Sequence, residues 1–538
     1  MRKWLFILLL FSFHLQGQNF TYPAEYEKHD ALFVVWDYSE SINPVTANLV
    51  AAVQDHAHIY IIYYPGTVPY DTTYIRDYMA DFGVGNYNYT FIPAWTETKW
   101  IRDFGPFIGY TPNSTADELR MVVDAKYSAY NRPKDDSIPS QLANNIFNFP
   151  VTDLPLDFEG GNILFDGLGR AFGGRRIAWQ NPDYTDEEVA EMIKDHFGLY
   201  DFVYMEALEN SGGGIWAHVD MFMKIIDNET ILITEFPENH PDYEVIEANV
   251  NTIKGLSNYL GRPYTVHRIP FPPNSNGQIP TTQNAEMRTY ANSLIMNDVV
   301  VVPSYGIPLD AEAKEIYENL YPGKTVEMVN CVPLTPQYGA IHCITNELPP
   351  QNLLRILHPK MVGEQSNNQV EIISLLQTNE AVDLEVHYQI NNENYQSELM
   401  VLQGQTYSYT FNIEDGDTVA YYLQACIEND CRNEPFDGAL APHVFWLLED
   451  DEPIDSTGVS STTLASNTKI TFFDNQLNIS GLENKVWRAK IYTIDGKQLS
   501  NFEFLGNSYS QYFSLPSGLY FLKLEKENEY QTVKFWVD

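Results

Sequence analysis

Positive charge is scarce in this chain. Only 32 Lys and Arg face 72 Asp and Glu over 538 residues, leaving a formal charge of −40 at pH 7. So acidic a chain repels polyphosphate, so nucleic acid is not an expected partner, whereas a cationic substrate would be attracted. Cysteine is scarce too, and four in a chain of this size are too few for a disulfide framework. Cys426 and Cys431 flank a turn-like segment at 427–430 between apparent strands and form the candidate local bridge. Cys331 sits in the apolar run VEMVNCVPL and reads as a buried core thiol, which leaves Cys343 as the candidate for reactivity. Long apolar runs are missing beyond the N-terminus: no later stretch approaches the ~18 residues a transmembrane helix needs. The one such run, in MRKWLFILLLFSFHLQG at 1–17, follows Arg2 and Lys3 and precedes small Gly17, the pattern of a secretory signal peptide.

Helical signals stop near Pro350. Before it, at 18–350, short apolar runs alternate with helical patterns: ALFVVW, HIYIIYY, YTFIPAW, FVYME, ETILIT, YTVHRIPF, NDVVVVPSYG and VEMVNCVPL read as strands of an α/β domain. Thr185 and Glu188 form a capping box ahead of an apolar stripe that ends at Gly198, so a helix is predicted there. A second is predicted from about Ala311, with Asp310 as its cap, to Pro322 and Gly323. At 351–449, alternating segments such as VDLEVHYQI, TYSYTFNI and TVAYYLQACI, separated by turns, predict an immunoglobulin-like β-sandwich. Residues 450–463, acidic and then Ser/Thr-rich, read as a solvated linker. The last segment, 464–538, carries VWRAKIYTIDGKQL and LPSGLYFLKLEKENEYQTVKFWV, each centred on a turn-forming Asp-Gly or Ser-Gly. It resembles the C-terminal sorting domain of type IX secretion, which implies the type IX machinery as a partner and a secreted or cell-surface location.

Two motifs carry carboxylates in suggestive company. In WAHVD, His218 and Asp220 are two apart in a stretch of strand-like composition, so both side chains are predicted to share one face. In WIRDFGPF at 100–107, Asp103 stands between an aromatic residue and a Gly-Pro turn. A guanidinium has five fork-arranged N–H donors and a flat face, so a site for it wants two carboxylates and an aromatic wall. Asp103, Asp220 and Trp100 would supply those parts.

Five segments, WIRDFGP at 100–106, EGGN at 159–162, HVD at 218–220, NSL at 292–294 and GAIHC at 339–343, stand in the order found in one family. With them, residues 20–350 resemble the bacterial peptidylarginine and agmatine deiminases of the guanidino-group-modifying superfamily. The resemblance implies a five-bladed α/β propeller with the site in its central cavity, and no cofactor or metal. It makes Cys343 the nucleophile, His218 the acid/base, Asp103 and Asp220 the guanidinium anchors, and Asn292 a supporting polar group. A thiolate attacks the guanidinium carbon, ammonia leaves, and water hydrolyses the thiouronium to a ureido group. Tyr130-Asn131-Arg132-Pro133-Lys134 matches the N-R-P-R segment that grips the α-carboxylate of C-terminal arginine in the peptidylarginine branch. Arg132 is retained, while Lys134 keeps the charge but loses bidentate geometry. Arginine-containing peptides or proteins are therefore the expected substrate, and agmatine is the alternative. A papain-like cysteine protease would have no use for two aspartates beside the thiol, and a surface adhesin would leave the whole polar set unexplained.

Overall fold

The computed structural model describes residues 21–447 and 469–537, apart from short segments at 38–40, 67–70, 112–118, 128–130, 212–217, 366, 415, 474–475, 494–497, 513–517 and 527–528. The expected signal peptide, the 450–463 linker, the Asp495-Gly496 turn and Trp216 lie outside the described residues. The chain divides into two compact units, Met1–Glu449 and Asp450–Asp538. Among the described residues, no helix is long and apolar enough to cross a membrane.

The first unit is a mixed α/β structure of small sheets. Among the described residues of 21–350, one plan recurs five times. Strands Phe107–Tyr110, Arg120–Lys126 and Val151–Asp157 form the simplest case: the first pairs antiparallel with the second, the second parallel with the third. The same plan joins Ile163–Phe165, Arg170–Gly174 and Asp201–Met205. It recurs in Met223–Ile225, Thr230–Glu235 and Thr265–Pro270, and in Leu294–Met296, Val299–Ser304 and Thr325–Asn330. In the fifth sheet Ala31–Val35 pairs antiparallel with Thr345–Leu348, from the far end of the region, and parallel with His58–Tyr63, which pairs with Tyr89–Pro93. Both ends of the region are thus fixed in one sheet.

Parallel neighbours need a crossover, and helices supply it. Asp186–Phe197 starts at the predicted capping box, with Thr185 accepting from the Glu188 N–H, and stops at Gly198 in the left-handed region. Tyr243–Lys254 and Leu309–Leu320 bridge the third and fourth sheets in the same way. The last begins two residues before the predicted Ala311. Asp310 lies inside it, and its carboxylate accepts instead from the N–H groups of Tyr305, Gly306 and Ile307 in the preceding loop. Central strands such as Ala31–Val35 are buried throughout, so they read as unbroken apolar runs.

The plan also positions the chemistry. Each quoted motif immediately precedes the first strand of a different sheet. The short helix Ile101–Phe104 leads into Phe107–Tyr110, and the turn Gly160–Asn162 into Ile163–Phe165. Val219–Met221 leads into Met223–Ile225, Asn292 into Leu294–Met296, and His342–Ile344 into Thr345–Leu348. Equivalent places in five sheets are brought together, and the 101–104 helix packs against both the 160–162 and 342–344 turns.

Residues 354–447 form two sheets. One holds Leu354–Leu357, Gln369–Thr378, Thr406–Asn412 and Val401–Gln403; the other is built on Thr418–Ile427 with Leu384–Ile390 and His443–Leu447. Val370, Ile372 and Phe411 of the first share one apolar core with Val386, Leu423 and Phe445 of the second. Cys426 and Cys431 face each other on adjacent strands and are disulfide-bonded, while Cys331 is a fully buried free thiol. Ion pairs Lys360–Asp227 (2.7 Å), Lys28–Asp430 (2.9 Å) and Arg355–Glu27 tie these sheets to the preceding region. The second unit is a five-stranded antiparallel sheet in which Trp487, Ala489, Ile491, Leu522 and Leu524 are buried.

Candidate active site

Cys343 lies on the His342–Ile344 turn and is 5% exposed. Its Sγ is 3.3 Å from Asn292 Nδ2 and 3.9 Å from Asp220 Oδ2. Asn292 clamps the turn from below. Its Oδ1 accepts from the N–H groups of His342 (3.0 Å) and Cys343 (3.4 Å), and its Nδ2 donates to the Asp220 carbonyl (3.3 Å). Gly339 is required beside it: a Cβ there would stand 2.4 Å from the Trp100 ring. Trp100 is half-buried and packs against the apolar cluster that contains Cys343, and the same Gly339 Cβ would stand 3.5 Å from Cys343 Cβ, so Gly339 lies between the ring and the nucleophile candidate.

The strand expected around HVD does not form. His218 is extended, but Val219–Met221 is a 3-10 turn, held by the Val219 N–H donating to Asn162 Oδ1 (3.1 Å). The two side chains still converge, because Gly161 removes what would separate them. A Cβ at Gly161 would lie 2.7 Å from His218 Nδ1, 2.9 Å from Asp103 Oδ1 and 3.1 Å from Asp220 Oδ2. Both anchoring carboxylates and the imidazole therefore meet at one glycine. Asp103 accepts from the Gly161 N–H at 3.2 Å. Its neighbour Arg102 is not a surface partner: it is buried and paired with Glu347.

His218 lies between two carboxylates, with Nδ1 3.4 Å from Asp103 Oδ1 and Nε2 3.1 Å from Glu159 Oε2. Burial works against its charge, but Asp103 and Glu159 outweigh it and raise the imidazole to about 10. Glu159 is backed by Arg176, 2.8 Å away, and by Gln180 at 3.2 Å. Burial opposes its ionisation, yet His218 and Arg176 hold it below the usual carboxylate range. The opposite holds for Asp103 and Cys343. Burial raises Asp103, with Glu159 and Asp220 adding to it against His218. Burial raises the Cys343 thiol well above its ordinary range, and the Asp220 and Asp103 charges push the same way. An entering cation would favour the charged forms of both groups and so oppose both shifts.

On the second side, His342 Nδ1 is 2.7 Å from Asp220 Oδ2 and Nε2 is 3.1 Å from Glu25 Oε2, which Lys224 meets at 2.7 Å. Of the two cations expected at the rim, Arg132 donates to the Tyr127 hydroxyl at 3.2 Å. Tyr127 is itself within the field of Asp103 and Glu159. Lys134 is exposed, and its ammonium lies 4.6 Å over the ring of Trp95. A third cation, Lys99, lies 4.6 Å over the Trp100 ring, bonded to Gln337 and 3.5 Å from Asp37.

Sequence reasoning named Cys343, His218, Asp103, Asp220, Asn292 and Trp100, and the structure brings them together. It assigned no role to Glu159, His342, Glu25, Arg176, Lys224 or Lys99. Glu159 and His342 were within the quoted motifs. Lys224 carried its own signal, since a lysine inside the apolar run MFMKII needs a buried carboxylate partner. Glu25 and Arg176 stand in no local pattern.

Fold and site together define a hydrolase of the guanidino-group deiminase class. A family model described as Porphyromonas-type peptidyl-arginine deiminase matches residues 21–349, and the chain belongs to that family. An agmatine deiminase of Ectopseudomonas mendocina is 24% identical over 367 residues, covering 62% of this chain and 96% of the relative. The Enterococcus faecalis agmatine deiminase structure superposes with a TM-score of 0.54 at 20% identity, covering 62% of this chain and 96% of that one. A C. jejuni agmatine deiminase gives 0.52 at 19%, with the same coverage.

Proposed function

We propose that the chain hydrolyses the guanidinium of C-terminal arginine in peptides to citrulline and ammonia. Support for a guanidinium comes from the opposed shifts at the site: Asp103 and Cys343 are held in their neutral direction by burial, with nearby carboxylates adding to it, while His218 is held protonated by Asp103 and Glu159. A planar cation between Asp103 and Asp220 supplies positive charge there and lets the thiol ionise. Sγ then bonds to the guanidinium carbon, and His218 gives its proton to the departing nitrogen as the C–N bond breaks. The neutral imidazole next takes one proton from water, whose oxygen bonds to the thiouronium carbon; the C–S bond then breaks, and the second water proton leaves to the released ammonia, giving ammonium. Thiolate, imidazolium and a ureido group result.

Choice of the peptidyl branch is supported by Lys99 and Arg132. Lys99 lies 4.6 Å over the Trp100 ring and Arg132 donates to the Tyr127 hydroxyl, so two cations border the aromatic residues next to the site. An α-carboxylate is attracted there, and the second ammonium of agmatine is repelled. We read the five sheets as five blades around this pocket, the 354–447 sheets as immunoglobulin-like, residues 1–17 as an export signal and the second unit as a secretion-sorting module. The chain on this reading acts outside the cell. The test is kcat/KM for a C-terminal-Arg peptide, its C-terminal amide, free arginine and agmatine, followed as ammonia and ureido product. The acid is expected to lead, and Arg132→Ala to shrink its advantage over the amide by about 1.5–3 kcal/mol. Agmatine leading would move the chain to an agmatine deiminase, and equal rates for acid and amide would make it a general peptidylarginine deiminase.

A further inference from the structure

His342 is the one part of GAIHC with an imidazole and no chemistry. It is fully buried and has a carboxylate on each ring nitrogen. Asp220 is itself fully buried, and its Oδ2 is taken by His342 Nδ1 while Oδ1 has no protein partner. A buried carboxylate oxygen left unpaired is costly, so Oδ1 is where the site expects a donor from outside the chain. We propose that His342 is the positioning residue of Asp220: it holds Oδ2, the oxygen 3.9 Å from Cys343 Sγ, and so fixes the plane of the carboxylate against the substrate guanidinium. The proposal rests on the deiminase reading above.

Three features carry it. First, the ring cannot swing away, because Glu25 holds its far nitrogen and is itself held by Lys224 at 2.7 Å and by the Ile295 N–H at 2.8 Å. Second, both ring nitrogens are engaged: Nδ1 lies 2.7 Å from Asp220 Oδ2 and Nε2 3.1 Å from Glu25 Oε2, with Arg102 Nε 3.4 Å from the His342 carbonyl, so the ring and its backbone are held on three sides. Burial opposes ionisation of Glu25, but Lys224 and His342 hold it well below the carboxylate range. Third, His342 precedes Cys343 in the same 3-10 turn, so one backbone segment sets both the nucleophile and, through the ring, the anchor that aims the substrate at it. Without the Nδ1 donor, the Asp220 side chain is free to turn about its last torsion, and a misaimed anchor costs rate steeply.

The test separates the two ring nitrogens. His342→Asn keeps a donor near Nδ1, facing Asp220; His342→Gln keeps one near Nε2, facing Glu25. If the contact with Asp220 matters, the Asn variant should stay within about tenfold of wild-type kcat/KM while the Gln variant falls roughly a hundredfold, at equal Tm. In the Gln variant KM for the arginine substrate should rise while binding of the citrulline product, which has no cation, holds. Equal activity of the two variants, or losses that follow Tm alone, would overturn the proposal. Should both fail to fold, Glu25→Gln decides, since it keeps an acceptor behind the ring without the charge. A severalfold rise in KM is expected, and wild-type kinetics would reject the role. Wild-type protein in the same assay distinguishes the levels: no ammonia from any guanidino substrate removes the deiminase reading and this inference with it, whereas normal turnover with no Asn/Gln difference removes this inference alone.

Discussion

The two sides of the pocket are built alike and differ in one respect. Each is a chain in which carboxylates alternate with nitrogen groups: Asp103, His218, Glu159 and Arg176 on one side, Asp220, His342, Glu25 and Lys224 on the other. In the first, the imidazole itself borders the pocket at Gly161. In the second, the imidazole is fully buried. On the proposed function, the same alternation gives a proton-exchanging group where the ring is reachable and a fixed support where it is not. Accessibility, not composition, separates the two roles.

Cutting the thiol that both sides serve should have the largest effect. Cys343→Ser is expected to lower ammonia release by roughly three orders of magnitude or more with folding intact, because the hydroxyl does not ionise in the working range. Retention of even a tenth of wild-type turnover would show that another group attacks.

Next come the two anchors. Asp103→Asn and Asp220→Asn should each cost about 2–5 kcal/mol in kcat/KM for guanidino substrates, as loss of a buried charge partner does. A peptide-bond substrate hydrolysed by the wild type and lost equally in both variants would point to a protease.

Glu159→Gln probes the reactive side through its pH behaviour. Since the His218 imidazole is raised to about 10, its contribution to stability is full below the ordinary histidine range and is lost as pH rises through about 10. Removing the Glu159 charge should lower that midpoint, measurable by NMR titration of His218, and lead to an earlier fall in Tm with rising pH. An unmoved midpoint would assign the shift to Asp103 alone.

The smallest effect is expected away from both sides. Cys331→Ser should leave kcat/KM nearly unchanged and lower stability by about 1 kcal/mol, the scale of burying one polar hydroxyl among apolar neighbours. A large loss of activity would connect that thiol to the site.

Long signals in the sequence were legible and short ones were not. The eight apolar runs all lie on strands: those on central strands, such as ALFVVW and NDVVVVPSYG, are unbroken because both faces are buried, while an edge strand such as Thr325–Asn330 mixes buried and exposed residues. Strands of three residues such as Ile163–Phe165, Met223–Ile225 and Leu294–Met296 are too short to show a period. Those short strands follow the site motifs, so the common plan behind the five motifs was hidden by the brevity of its marker. Helix Asn43–Val53 escaped because seven of its eleven residues are buried, which blurs the amphipathic stripe.

By itself the sequence determined the reacting types and their order: one cysteine in GAIHC, a histidine and aspartate in HVD, an aspartate beside an aromatic in WIRDFGPF. It also determined the excess of acid that favours a cationic substrate. Tertiary structure alone decided which residue stands behind which. Glu25 reaches His342 from more than 300 residues away in the chain, and Glu159 reaches His218 across two sheets. Nearness and burial then decided the charges: Asp103 and Glu159 lift the His218 imidazole against burial, while burial holds the Cys343 thiol neutral. The reason is physical: desolvation and the nearness of charges depend on distance in space, which a linear order of residues does not contain.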